Sequence, residues 1–181
     1  MVLALVVGPS GAGKDALIAR ARAALKDDPR FVFVRRVVTR PAVAAIEDHE
    51  TMDEAAFTVA LMRGDFALAW EAHGLRYGIP ARIEDDLAAG RVVVVNGSRA
   101  AIPAARERYP QSVVFLVTAP RAVRAARLVG RGRESAAEVA ARLDREGPEL
   151  APAVERVTID NSGTLEASTA TFLSELRKLA E

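Results

Sequence analysis

The run Gly8-Pro9-Ser10-Gly11-Ala12-Gly13-Lys14-Asp15 carries the most specific chemistry in this chain of 181 residues. It fits the pattern G-x-x-x-x-G-K, in which glycines adopt backbone angles closed to other residues and successive amide N–H groups converge on phosphate oxygens. The lysine that ends the pattern brings a mobile positive charge to the β- and γ-phosphates of a nucleoside triphosphate, so Lys14 is read as both a catalytic and an ATP-binding group. Asp15 stands where a serine or threonine ordinarily binds Mg²⁺. A carboxylate is also a hard oxygen donor, which makes Asp15 a candidate magnesium ligand, directly or through water. The competing reading is an acid that stabilises the first turn of a helix. For the run as a whole the competing reading is a glycine-rich turn, and its place between an apolar strand and a helix argues against that.

Such a loop works only if a strand delivers it and a helix leaves it. Residues 2–7 are uninterrupted apolar sequence, as in a buried parallel strand, and 15–25 form a helix rich in alanine and leucine. Residues 31–38 read as a second strand between Pro29 and Pro41, and 42–51 as an irregular, mobile stretch. Asp53 caps a short helix through Met62, and Gly64-Asp65 turns the chain into a strand over 66–70. Phe66 and Trp70 alternate on that strand and are read as core, while 73–80 reads as a turn carrying exposed polar groups. Further strands are expected at 91–96, 113–118 and 157–159. Helices are expected at 83–89, 99–108, 120–130 and 135–146, and at the end of the chain, where Leu165, Phe172, Leu176 and Leu179 share one side. Alternating strands and helices predict an α/β fold with a mainly parallel sheet, as one domain over 1–181.

Bulk properties narrow the function. The formal net charge is +1, so nothing in the charge balance points to nucleic acid or an anionic membrane. Cysteine is absent, which excludes disulfides, thiolate metal sites and thiol catalysis. No apolar run approaches the ~20 residues that span a bilayer, and residues 1–7 lack the basic region of a signal peptide, so a soluble, cytoplasmic protein is the expectation. All but three of the 25 basic residues are arginine, so a single arginine identifies little and its place relative to a motif must carry the argument. His49 and His73 are too isolated in sequence to indicate a metal site.

Beyond the loop, Arg127-Leu-Val-Gly-Arg131-Gly-Arg-Glu134 with Arg142-Leu143 resembles the lid of guanylate kinases, and the likeness runs from Val2 to about Leu179. It implies a P-loop NTPase three-layer fold, with a core over 1–35 and 90–181, an acceptor-binding region over about 36–80 and a lid over about 127–146. It further implies that the lid arginines Arg131 and Arg142, with Arg127 one turn earlier, act on the transferring phosphoryl group. Cations there stabilise charge spread over its oxygens. Asp160-Asn161 matches a segment near adenine in that family, so Asn161 is a further candidate for ATP. The acceptor side departs from guanylate kinase: Arg40 in Val38-Thr-Arg-Pro41 is kept, but the family's second arginine aligns with Val43 and its phosphate-binding tyrosine falls near Glu50. The acid that reads guanine aligns near Leu68, and the hydroxyl after Tyr-Gly becomes Ile79. A site without those partners does not select guanylate.

The blocks that remain, among them His49-Glu50, Trp70-Glu-Ala-His-Gly-Leu-Arg-Tyr-Gly78 and Val95-Asn-Gly-Ser-Arg99, resemble the ribose 1,5-bisphosphate phosphokinases. That family is linked to bacterial phosphonate use. The resemblance implies ATP and Mg²⁺ as cofactors, a sugar bisphosphate as partner, and 5-phosphoribosyl 1-diphosphate as product. Arg36 and Arg40 would hold acceptor phosphate; Glu50, Glu71, His73 and Arg76 are candidates for sugar hydroxyls and the remaining phosphate, and Tyr77 for a hydrogen bond to phosphate. Asn96 lies where guanylate kinases place an acid, and is read either as an amide suited to a doubly phosphorylated acceptor or as part of a turn. Rival readings are a nucleoside monophosphate kinase of altered base preference and a noncatalytic guanylate-kinase-like binding module.

Overall fold

The computed structural model describes residues 2–40, 49–130, 135–144, 150 and 154–181. In chain order these form β1 (Val2–Val7), α1 (Lys14–Ala24), β2 (Phe31–Val34), β3 (Arg36–Val38), β4 (His49–Thr51), α2 (Glu54–Arg63), β5 (Phe66–Ala72), β6 (Leu75–Pro80), α3 (Ile83–Ala88) and β7 (Val92–Asn96). A 3₁₀ turn (Arg99–Ala101) then runs into α4 (Ile102–Arg108), followed by β8 (Val113–Thr118), α5 (Arg121–Val129), α6 (Ala136–Asp144), β9 (Arg156–Asp160) and α7 (Leu165–Lys178).

β1 is apolar throughout because both of its faces are buried. It is the middle strand of a parallel five-stranded sheet in the order β2-β7-β1-β8-β9. Leu3, Leu5 and Val7 point to one core, while Ala4 and Val6 point to another under α1 and α7, where Phe115 meets Phe172 edge-on. Parallel strands covered on both sides need continuous hydrophobicity, not alternation.

A second sheet, in the order β4-β3-β6-β5, is mixed: β3 runs parallel to β4, and β6 runs antiparallel to both β3 and β5. One of its faces, with Val38, Leu68, Trp70, Tyr77 and Ile79, joins the core of the first sheet. The other, with Val37 and Phe66, packs under Phe57 and Ala60 of α2. Helix α2 begins where the Asp53 carboxylate accepts from the Ala56 amide and ends at Gly64 in the left-handed region. Leu128, Val139 and Leu143 form a small separate cluster between α5 and α6. Helix α6 opens with the expected capping box, in which Ser135 and Glu138 bond each other's amides.

Three expectations need correction. Residues 31–38 are not one strand: the chain breaks at exposed Arg35, whose guanidinium donates to the His49 carbonyl, and changes sheets there. The stretch 73–80 is mostly strand. Only His73 and Gly74 turn, both at positive φ, as a two-residue hairpin requires, and β6 then fills the middle of the second sheet. Gly78 on β6 lies under the Phe66 ring, where a Cβ would come within 2.5 Å of it. Within the stretch read as irregular, His49–Thr51 is a strand, while 41–48 lie outside the described residues. Among the described residues no helix is long and apolar enough to cross a membrane.

Behind β7, helices α3 and α4 are tied at Glu84, whose carboxylate accepts from the Tyr109 hydroxyl at 2.6 Å and from Arg108. Burial first, then the Glu84 hydrogen bond and charge, push the Tyr109 phenol up to about 12. Because the phenol is a weaker acid in the folded protein, the unfolded chain loses the proton first. Stability from this group is therefore complete below about pH 10 and is lost as the pH rises towards 12. Urea midpoints measured across that range are expected to fall in the native protein and to fall less steeply in Tyr109→Phe.

Candidate active site

A cavity of about 340 Å³ opens between the phosphate loop and the second sheet, at the carboxyl ends of β1 and β7. That is the end at which parallel α/β sheets bind ligands. The loop lies close to the sheet because two of its residues have no side chain. Gly8 sits at φ +152°, and a Cβ there would come within 2.2 Å of the Val117 carbonyl oxygen. Gly13 sits at φ +92°, and a Cβ there would come within 2.4 Å of the Asn161 amide nitrogen.

Lys14 Nζ donates to the Gly8 carbonyl at 2.8 Å and the Pro9 carbonyl at 3.3 Å, so the amine lies across its own loop. Asp15 Oδ1 accepts from Asn96 Nδ2 at 2.6 Å, which joins the start of α1 to the end of β7. The side chain of Arg142 reaches from α6 to Ser10, with Nε 3.1 Å from the hydroxyl, and lines the cavity. Arg131 lies outside the described residues.

Asn161 and Arg127 stand behind the loop and not in the cavity wall. Asn161, 1% exposed, donates from Nδ2 to the Ala12 carbonyl at 2.7 Å. Arg127 donates to the Asn161 carbonyl at 2.8 Å and to the Ala12 carbonyl at 3.4 Å. Together they hold the loop at Ala12, whose own amide donates to the Pro9 carbonyl at 3.2 Å.

On the acceptor side, the cavity wall includes Arg36, Arg40, His73 and Tyr77, but not Glu50, Glu71 or Arg76. Strand alternation explains the division. Tyr77 faces the cavity, so its neighbour Arg76 faces α2, where its guanidinium lies 4.6 Å from the Phe57 ring centroid and donates to Thr58 at 2.8 Å. Glu71 pairs with Arg76 across the hairpin and shares that face, at 3.8 Å. Glu50 pairs with Val37, on the α2 side, and approaches Arg82 at 3.5 Å.

Ser98 and Arg99, to which the sequence assigns no role, line the cavity; so does Trp70, which is in the core as expected and also forms part of the cavity wall. Ser98 and Arg99 directly follow the carboxyl end of β7, which was signal enough for a ligand site. That Trp70 also reaches the cavity follows from its pairing with Tyr77, which is not legible while 73–80 reads as a turn. Lys14, Arg36, Arg40, Arg99 and Arg142 thus surround a space in which, among the described residues, Asp15 is the one carboxylate. Among the described residues no group of three or more His, Cys, Asp or Glu is placed to hold a metal ion.

No family model matches the chain. It is 49% identical over 175 residues to the ribose 1,5-bisphosphate phosphokinase PhnN of Brucella melitensis, covering 97% of this chain and 91% of that one. With the enzyme of the same name from Acidiphilium cryptum it is 52% identical over 174 residues, again covering 91% of that protein. It also matches a quarter of a bifunctional ribose 1,5-bisphosphokinase-thymidine phosphorylase of Azorhizobium caulinodans, at 50% identity. Among solved structures, guanylate kinase from Anaplasma phagocytophilum superposes with a TM-score of 0.71 at 16% identity, covering 98% of this chain and 85% of that one. A gluconokinase from Sinorhizobium meliloti superposes with a TM-score of 0.54. These two likenesses show the fold.

Removing the Asn161 amide takes away the shorter of the two side-chain bonds that the described residues make to the Ala12 carbonyl, and the longer one from Arg127 stays. Asn161→Ala is expected to weaken ATP binding about tenfold, equivalent to ~1.4 kcal/mol, while the protein stays folded. Titration calorimetry with Mg-ATP checks this, and unchanged affinity would remove the buttressing role.

Proposed function

The chain belongs to the ribose 1,5-bisphosphate phosphokinase family, and we propose that it transfers the terminal phosphoryl group of ATP to the 1-phosphate of ribose 1,5-bisphosphate. The products are ADP and 5-phosphoribosyl 1-diphosphate. The observation that carries this reading is how charge is distributed along the cavity. One end is a phosphate loop, the other presents Arg36 and Arg40, and the positions where a guanine-reading acid and hydroxyl would stand are Leu68 and Ile79, both inside the apolar core. Such a site favours an acceptor recognised through its phosphates over one recognised through a base.

The chemistry asks little of the protein beyond placement. An oxygen of the 1-phosphate, ionised at neutral pH, forms a bond to the γ-phosphorus while the bond from that phosphorus to the β-bridging oxygen breaks. No proton moves, so no general base is required. The remaining tasks are in-line alignment, screening of repulsion between two polyanions and stabilisation of the equatorial oxygens.

The loop amides and Lys14 are assigned to the ATP phosphates. Arg142, beside Ser10, is assigned to the group in flight. Arg36 and Arg40 orient the acceptor from β3 and the residues just after it, with His73 and Tyr77 beside them. Magnesium fits this donor set, because the ion keeps several waters and takes much of its coordination from substrate phosphates, leaving one carboxylate for the protein to supply. When bound, it neutralises charge between the β- and γ-phosphates. Asp15 would hold it, with Asn96 fixing the carboxylate through the 2.6 Å bond.

ADP release from Mg-ATP, followed with ribose 1,5-bisphosphate and in parallel with GMP, AMP and UMP, tests the proposal. Turnover is expected with the sugar bisphosphate alone; turnover with a nucleotide alone would replace the reading with that of a nucleotide kinase. Lys14→Ala is expected to lower kcat by on the order of 10²–10³ with the fold intact. Near-native turnover in that variant would withdraw the assignment of the loop.

A further inference from the structure

We infer that Trp70 selects the acceptor: its indole occupies the aromatic face that a nucleobase would need, so the site admits a phosphorylated sugar and turns nucleoside monophosphates away. The inference rests on the phosphokinase reading above and identifies the residue behind its specificity.

Sheet register fixes which side chains meet here. Strand β6 lies between β3 and β5, and Tyr77 pairs with Trp70 on one side and with Val38 on the other. Side chains at paired positions share a face, and so do residues two apart on a strand. Trp70, Tyr77, Val38 and Arg36 therefore all point to the cavity side. The rings of Trp70 and Tyr77 are nearly parallel, at an interplanar angle of 6° with centroids 5.4 Å apart. From the β3 flank the Arg36 guanidinium sits 5.4 Å from the Tyr77 centroid. Tyr77 is thus flanked by an indole on one side and approached by a guanidinium on the other, and all three groups line the cavity.

A base is bound by two things: a planar face to lie against and polar groups to read its edge. The face is taken, since Trp70 is stacked on Tyr77 and is only 8% exposed. The edge finds no reader at Leu68 or Ile79, which are buried apolar residues. A sugar bisphosphate needs neither. It needs cations and a small volume, and the stack contributes to both, since Tyr77 lies against the Arg36 guanidinium and the two rings reduce the space.

The test compares Trp70→Phe, which keeps an aromatic ring, with Trp70→Ala and Trp70→Leu, which remove it. With Mg-ATP as donor, kcat/KM for GMP, AMP and UMP is expected to rise about tenfold or more for at least one nucleotide in the alanine and leucine variants. The phenylalanine variant is expected to keep the native profile, and KM for ATP to stay unchanged in all three. Leucine leaves a smaller void than alanine, so it decides the matter if alanine unfolds the protein. Folded variants without the ring that still refuse every nucleotide would overturn the inference.

The native protein gives an independent reading, because Trp70 is its single tryptophan. Its fluorescence is expected to change on titration with ribose 1,5-bisphosphate and to be unmoved by AMP. An emission spectrum indifferent to saturating sugar bisphosphate would equally overturn the assignment. Failure of the native enzyme to turn over ribose 1,5-bisphosphate at all would instead count against the phosphokinase reading, which is scored before any variant is made.

Discussion

Everything at this site depends on how closely the phosphate loop can lie against the ends of the parallel strands. At Gly8 the loop passes the Val117 carbonyl of β8 so tightly that a methyl group would collide with it, and at Gly13 the same holds for Asn161. From that approach follow the start of α1 and the place of Asp15 opposite the end of β7. The loop is also held from behind, where Asn161 and Arg127 converge on a single carbonyl, that of Ala12. Contacts within the protein itself therefore hold its geometry, which is the preorganisation that electrostatic catalysis requires.

The nucleotide half of the site was legible in the sequence because its signals are local. A continuous apolar strand, a glycine pattern and a lysine are eight or fewer residues apart, and nothing distant is needed to interpret them. The order and rough limits of most helices were legible for the same reason, through caps and apolar periodicity. The acceptor half was not, because its geometry is set by pairing between strands. Arg76 and Tyr77 are adjacent in sequence and face opposite ways, one towards α2 and the other into the cavity, and no property of either residue announces which. Once 73–80 is read as a turn, the alternation that separates them disappears.

The break at Arg35 has the same character. Both halves of 31–38 are β-branched or aromatic enough to be strand, and the propensities are correctly read. What composition does not carry is that the first half belongs beside β7 and the second beside β6. That change of partner gives the chain a second sheet, and with it a wall facing the loop.

The cluster of Leu128, Val139 and Leu143 between α5 and α6 stands apart from the larger cores. Its packing is settled among its own residues, whereas Arg142, on the same helix pair, extends to Ser10 of the loop. The effects of substitutions in this patch and in the main cores should therefore add independently, since residues that share no neighbours couple weakly. Such a unit can drift at its own pace provided that its two helices continue to deliver Arg127 and Arg142 to the loop.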